Sequence, residues 1–400
     1  MWLQELLANC QPMTASQQAP DWQGLLELTE RHDLEAFVDR LLQRAGLAVP
    51  TEVGNQLHRA FLSGAAMNMQ LFHQLGIILR ALGERNVPVI PLKGAFLAET
   101  VYGDIALRPM ADLDLLVKPS DLPTAIEVLR QLGYESDHPF DPAAQQVGFQ
   151  DMPPMRRPGG AMVELHWTLV TPLCGARIDR GELEGIWERS VPATVAGVPS
   201  LTLAPEDLLL HLCMHASVHH RFADVGLKSF VDIAEVARHY DGRLDWRELS
   251  GRANAWRVAN GVRMALMLAQ EWTDLRVPAD VWAQLDGAAP DERTLAWARH
   301  KVLEGRPAEL VSEFARLESG RGTGGRLSAL RTAAFPPRAV MARLYGVPGD
   351  SWWILAWYPY RLWDLWSRYR AALWKLMRHD REFVDDTRRE ARLREYLGWQ

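Results

Sequence analysis

The sequence predicts an α+β protein. A mixed strand-and-helix core at residues 84–200 lies between a helical region at 1–83 and a larger helical region at 201–400. Three observations carry this prediction. Apolar residues recur at helical spacing outside the core, as in Leu71, Leu75, Ile78, Leu79 and Leu82. Inside the core, short apolar runs rich in β-branched residues alternate with helical stretches. The chain of 400 residues is 48% hydrophobic and 24% charged, ordinary globular values that exclude wholesale disorder.

Asp21 can cap a first helix carrying Trp22, Leu25, Leu26 and Leu28. A second helix carries Leu57, Phe61 and the stripe through Leu82, and Gly83 ends it. Residues 87–92 read as a strand, Lys93-Gly94 as a turn, and 95–102 as the start of a helix. Residues 113–117 give another strand, after which Ser120 caps a helix that Gly133 closes. Residues 147–155 and 161–169 flank Arg156-Arg157-Pro158-Gly159-Gly160 and read as a hairpin, whose tip is a solvated turn. From Leu201 the pattern is helical: a helix starts at Pro205 and runs through the histidines at 211–220, and others cover about 228–240, 246–272 and 290–316. Residues 319–325 form a glycine-rich loop. Its Gly320-x-Gly322-x-x-Gly325 spelling matches a dinucleotide fingerprint, but the residues ahead of it read as helix, where that fingerprint needs a strand.

With 44 basic and 50 acidic side chains the net charge is −6, which disfavours a broad electrostatic grip on nucleic acid. Cys10, Cys174 and Cys213 are too scattered for a disulfide framework and suit a reducing compartment. The N-terminus lacks a basic segment ahead of an apolar core, and no run reaches the roughly 18 apolar residues of a spanning helix. A soluble, cytoplasmic protein is expected.

The chemistry centres on Asp112-Leu113-Asp114-Leu115-Leu116-Val117. Strand alternation puts Asp112 and Asp114 on one face, where two carboxylates repel each other unless a cation such as Mg²⁺ sits between them. Upstream, Gly94 at a strand-to-helix turn lets backbone N–H groups approach a phosphate. Downstream, Glu164 and His166 alternate onto one face of an apolar strand, so a third carboxylate on a neighbouring strand would complete a two-metal site.

These strings, together with Tyr102-Gly103-Asp104, Arg108, Gly133-Tyr134, Glu164-Leu165-His166-Trp167 and the helical stretch from Pro205 through Asp232, resemble the uncharacterised bacterial nucleotidyltransferase family of the DNA polymerase β-like superfamily. Phe335-Pro336-Pro337-Arg338 adds to the likeness, which covers most of the chain. The resemblance implies a polymerase β-like core with a mixed sheet. It implies that Asp112, Asp114 and Glu164 bind Mg²⁺ or Mn²⁺, and that the Gly94 turn holds a triphosphate with Lys93 and Arg108 nearby. It implies transfer of a nucleoside monophosphate from an NTP to a hydroxyl, releasing pyrophosphate. Gly94 is followed by Ala95 where the superfamily usually has a second glycine or a serine, and the spacing from Gly94 to Asp112 is longer than usual. ATP is the default donor. The acceptor is open, with a small molecule or a peptide or protein hydroxyl favoured over long RNA.

Other signals are weaker. His211, His215 and His219 share a helix face near Cys213; cleft lining by His215 or His219 is favoured over zinc. Lys228 and Asp232 are four apart, and read as a helix-surface pair or, by the resemblance, as cleft residues. Arg108 could contact phosphate or buttress a carboxylate. Glu164, Asp232 or a histidine could be the general base. Residues 352–377 hold six tryptophans among Tyr and Arg, with Pro359 interrupting the stripe. Internal packing is the favoured reading of this segment, and peripheral membrane contact or a protein partner are the alternatives. The competing functions are a catalytically silent nucleotide-binding or scaffold module near a membrane, and metal-dependent phosphate-ester hydrolysis.

Overall fold

A computed structural model describes residues 21–137, 150–170, 180–304, 334–345, 352–377 and 381–398, with the single residues 140, 142, 178 and 331. It is a mainly helical α+β structure around one mixed five-stranded sheet. Helix α1 (Trp22–Arg31) starts where the Asp21 carboxylate accepts the Gly24 N–H at 3.0 Å, as expected. Helix α2 (Glu35–Ala45) stops at Gly46, in the left-handed region that glycine enters freely. Helix α3 (Thr51–Glu84) runs 34 residues, and its buried stripe from Leu57 to Leu82 is the one the periodicity predicts.

The sheet is built from β1 (Val89–Pro91), β2 (Asp112–Val117), β3 (Glu135–Ser136), β4 (Met155–Arg156) and β5 (Met162–His166), in the order β1-β2-β5-β4-β3. The central pair, β2 and β5, is parallel, and every other pairing is antiparallel. Helix α4 (Leu122–Gln131) supplies the crossover, and Leu113, Leu115, Leu116 and Val117 are fully buried. Two polar side chains on α3 fix this sheet. Buried Asn68 donates to the carbonyls of Ile105 and Arg108 and accepts the Met110 N–H at 3.2 Å, pinning the chain entering β2. Gln74 Oε1 accepts Tyr134 Oη–H at 2.9 Å and the Ala161 N–H at 2.6 Å, which sets the start of β5.

Helix α5 (Arg180–Arg189) leads to a separate hairpin, β6 (Val191–Val195) and β7 (Val198–Thr202), which the sequence reading did not name. Its turn, Ala196-Gly197, has both residues at positive φ, and the alternation around an Ala-Gly pair was the available signal. Helices α6 (Pro205–Met214), α7 (Lys228–His239), α8 (Trp246–Ala255), α9 (Ala259–Trp272), α10 (Glu292–Glu304) and α11 (Arg338–Tyr345) follow. Three smaller expectations change. Ser120 does not cap α4, because a 3₁₀ turn at Pro119–Asp121 leads into it. The stretch 246–272 is two helices broken at Arg257, which has positive φ. Residues 95–102 form a short turn, Gly94–Phe96, followed by a π-turn at Leu97–Val101. The expectations for Cys10, Cys174, residues 147–149, 305–316 and the loop 319–325 fall outside the described residues.

One contiguous apolar core runs from Leu25 to Val302 and takes in Leu393 of the last helix, α13 (Arg381–Tyr396), and Leu397 just after it. A buried ion pair ties that helix down: Lys301 Nζ lies 2.8 Å from Glu390 Oε2, which also accepts Trp297 Nε1–H at 2.9 Å. At the other end, His32 Nδ1 accepts the Leu227 N–H at 3.3 Å, joining the α1–α2 turn to the start of α7. Burial pushes the His32 ring from 6.5 down to about 4, so folding favours its neutral form. Its contribution is complete above pH 6.5 and is lost as pH falls towards 4, because the unfolded chain takes up the proton first. The urea midpoint should therefore fall between pH 7 and pH 5, and His32→Gln should flatten that slope; an equally steep slope in the variant would contradict this.

Candidate active site

The β2–β5 register sets Asp114 directly beside Glu164. Asp112, two residues earlier on β2, shares their face and is only partly buried. His166 completes the cluster: its Nε2 lies 2.8 Å from Asp114 Oδ1 and 3.8 Å from Glu164 Oε2. Asp114, Glu164 and His166 each bring one ligand atom within 4.8 Å of the others, the one such group among the described residues. Oxygen donors with one imidazole, gathered this closely, fit a divalent cation. Burial, and then the Asp114 charge, raise the Asp112 and Glu164 carboxyls above their usual range.

Lys93 faces this cluster. Its Nζ lies 3.0 Å from Asp114 Oδ2, and its side chain is only 16% exposed. Burial would raise the Asp114 carboxyl, but Lys93 and His166 outweigh it and hold the group well below the usual carboxylate range. Burial opposes the ammonium in turn, and Asp114 more than restores it. The Lys93 backbone has φ 46°, a region that favours glycine, and such a conformation costs about 1–3 kcal/mol. Gly94 follows because space forbids anything else: an added Cβ would lie 2.6 Å from Met110 Cγ and 2.8 Å from Arg108 Nη1.

Of the two roles open to Arg108 from sequence, the structure shows it against a carboxylate, that of Asp232. Its Nη2 donates to Asp232 Oδ2 at 2.8 Å and its Nε at 3.2 Å, while Tyr102 Oη–H donates to Asp232 Oδ1 at 2.7 Å. Asp232 is thus buried behind Arg108 and does not line the cleft. Lys228 does not pair with Asp232 along the helix either, reaching Asp33 Oδ2 at 2.6 Å instead.

The carboxylates open into a cleft of about 850 Å³. Lys93, Arg108, Asp112 and Glu164 line one side, and His215, His220 and Lys228 come from the later helices. His219 is not among its lining residues. The physical reason is a π-turn over His215–His219, where the His220 N–H donates to the His215 carbonyl at 3.2 Å. The wider turn brings His215 and His220 together, with ring centroids 4.5 Å apart, and directs His219 towards Gln150 Nε2 at 3.3 Å. His211 lies beneath this wall with neither ring nitrogen hydrogen-bonded, and burial pushes its ring down to about 3. His211, His215, His219 and Cys213 do not gather as a compact ligand set, so the geometry gives the zinc reading no support.

Sequence reading brought Lys93, Gly94, Asp112, Asp114 and Glu164 to one place. It missed Asn68 and Gln74, whose signal was two polar residues on an otherwise apolar helix stripe. It also missed the hold of Tyr102 on Asp232, which no local pattern reveals. Asp232→Ala leaves the Arg108 guanidinium buried without its partner and should cost about 3 kcal/mol. Adding Arg108→Met should recover part of that loss in urea unfolding; strictly additive losses would contradict the pairing.

Two solved structures are similar to this chain. The solution structure of the antibiotic-resistance factor ANT(2'')-Ia is 17% identical, with 48% of this chain and 93% of that chain covered and a TM-score of 0.34. The crystal structure of ANT(2'')-Ia in complex with adenylyl-2''-tobramycin is 16% identical, with 46% and 96% covered and a TM-score of 0.31. No curated protein matches the chain. A family model described as uncharacterised nucleotidyltransferase matches residues 18–274, a span that includes every residue of the site, and the chain belongs to that family.

Proposed function

We propose that this nucleotidyltransferase moves a nucleoside monophosphate from an NTP, ATP by default, to a hydroxyl of a small molecule or peptide, using a polymerase β-like core at residues 84–200. The observation that carries the reading is the pairing of Asp114 with Glu164 on adjacent parallel strands, with Asp112 at the mouth of the 850 Å³ cleft. Asp112, Asp114 and Glu164 would hold Mg²⁺ or Mn²⁺, with His166 as a further ligand. Such a cation supplies positive charge to the attacking and leaving oxygens at phosphorus.

The chain's own groups do the rest. Glu164, with its carboxyl raised by burial, accepts the proton of the acceptor hydroxyl. The acceptor oxygen bonds to the α-phosphorus as the bond to the leaving oxygen breaks, and pyrophosphate departs. Lys93 lies against the triphosphate while the turn at Gly94 offers backbone N–H groups. Arg108, fixed by Asp232 and Tyr102, keeps the Gly94 turn in place. His215 and His220, both held neutral by burial, border the far side without competing for the cation as charges.

Calorimetry with ATP, GTP, CTP and UTP in Mg²⁺ tests this reading. Binding of one NTP should require the metal and fall at least about tenfold in Asp112→Asn/Asp114→Asn. Equal binding in parent and variant would contradict it. Lys93 Nζ lies 3.0 Å from Asp114 Oδ2 and would compete with a cation for it, so Lys93→Met should bind Mn²⁺ alone about tenfold more tightly and NTP more weakly. Unchanged Mn²⁺ titrations would contradict that competition.

A further inference from the structure

Among the described residues of the last third of the chain, an aromatic surface stands exposed. Among the described residues, nine of the thirteen exposed large apolar side chains lie between 335 and 366. Trp352, Trp353, Trp363 and Trp366 are each between 57% and 67% exposed, with Leu355 and Leu362 beside them. These residues belong to a 3₁₀ turn, Trp352–Ala356, and helix α12 (Trp357–Met377). Pro359 falls in the first turn of α12, where a missing N–H costs nothing, so the helix is not interrupted. Internal packing, the favoured reading from sequence, holds for Ile354 and Asp364 and in part for Trp357, which stacks on Tyr345, but not for Trp352, Trp353, Trp363 and Trp366. Met341 and Ile354 are buried, yet they stand outside the main core cluster.

In sequence the charge of this segment is one-sided. Residues 352–378 carry five basic side chains and a single acid, Asp364. That acid is turned inward, 6% exposed, and accepts Tyr345 Oη–H at 2.8 Å beside Arg361. The exposed described residues of 352–377 therefore include no carboxylate, while Arg370 stands exposed with its guanidinium 5.8 Å from the Trp366 ring. Tryptophan and tyrosine interleaved with arginine suit the boundary between headgroups and acyl chains, where the ring is partly desolvated and its N–H or O–H stays wet. A surface with positive charge and no exposed acid repels a second copy of itself and is attracted to anionic lipid. No helix among the described residues is long and apolar enough to cross a membrane, so α12 would lie in the interface plane.

We propose that residues 352–377 dock this protein on an anionic lipid bilayer, with Trp352, Trp353, Trp363 and Trp366 entering the headgroup boundary and Arg370 meeting lipid phosphates. The surface lies outside the carboxylate cleft, so docking brings the transfer site to the membrane without using its residues.

Flotation of the full-length protein with phosphatidylcholine vesicles, with or without about 30% phosphatidylglycerol, tests this. The protein should float with the anionic vesicles and remain unbound with phosphatidylcholine alone. Partition should fall about tenfold in Trp363→Ser/Trp366→Ser and about fivefold in Arg370→Ala, and should drop at high salt. NTP binding and circular dichroism should match the parent in both variants, which separates lost docking from lost fold. Three results would overturn the proposal: no flotation with either vesicle, equal flotation of the tryptophan variant, or a dimer in light scattering that the tryptophan variant abolishes without any vesicle binding.

Discussion

Mutual repulsion among Asp112, Asp114 and Glu164 is the constraint around which this structure is organised. The β2–β5 pairing brings carboxylates side by side in a partly dry setting, where like charges cost far more than in water. Lys93 answers part of that repulsion from a strained backbone, and His166 contributes from within the cluster. Strain of this kind persists only where surrounding packing imposes it. Met110 and Arg108 crowd Gly94, Asn68 clamps the chain between Ile105 and Met110, and Asp232 locks Arg108. The long helix α3, α7 and the π-turn at Leu97–Val101 thus all act on one short stretch of chain.

The two π-turns belong to the same logic. One follows the Lys93-Gly94 corner, and the other carries His215 to the cleft. A wider turn changes which side chains share a face, and here it substitutes His220 for His219 as the neighbour of His215. Burial favours the neutral form of both rings, so these histidines make that part of the cleft polar without adding charge. Charge is concentrated instead at Lys93, Arg108 and Lys228, where it faces the carboxylate side or is already paired.

Much of this was legible in the sequence, for identifiable reasons. The strand carrying Asp112 and Asp114 is short, apolar on its buried face and bounded by breakers, so its side-chain directions follow from alternation alone. The stripe on α3 is long enough for its period to declare itself. What could not be read depends on contacts between distant segments. Asp232 reads as the partner of Lys228, four residues away, until the fold brings Arg108 alongside. A π-turn leaves no signature in spacing, so a four-residue histidine period predicted the wrong neighbour. The Trp-rich stretch 352–377 reads as a packed helix, and only the finished structure shows Trp352, Trp353, Trp363 and Trp366 exposed.

The account stands or falls on what occupies the space between Asp114 and Glu164 during the reaction. A crystal structure with Mn²⁺ and a non-hydrolysable NTP, collected at the manganese absorption edge, answers this directly. An anomalous peak bonded to Asp114 and Glu164, with Lys93 turned from Asp114 towards the phosphates, is the predicted result. A nucleotide bound with no peak at those carboxylates, and Lys93 still on Asp114, would contradict it.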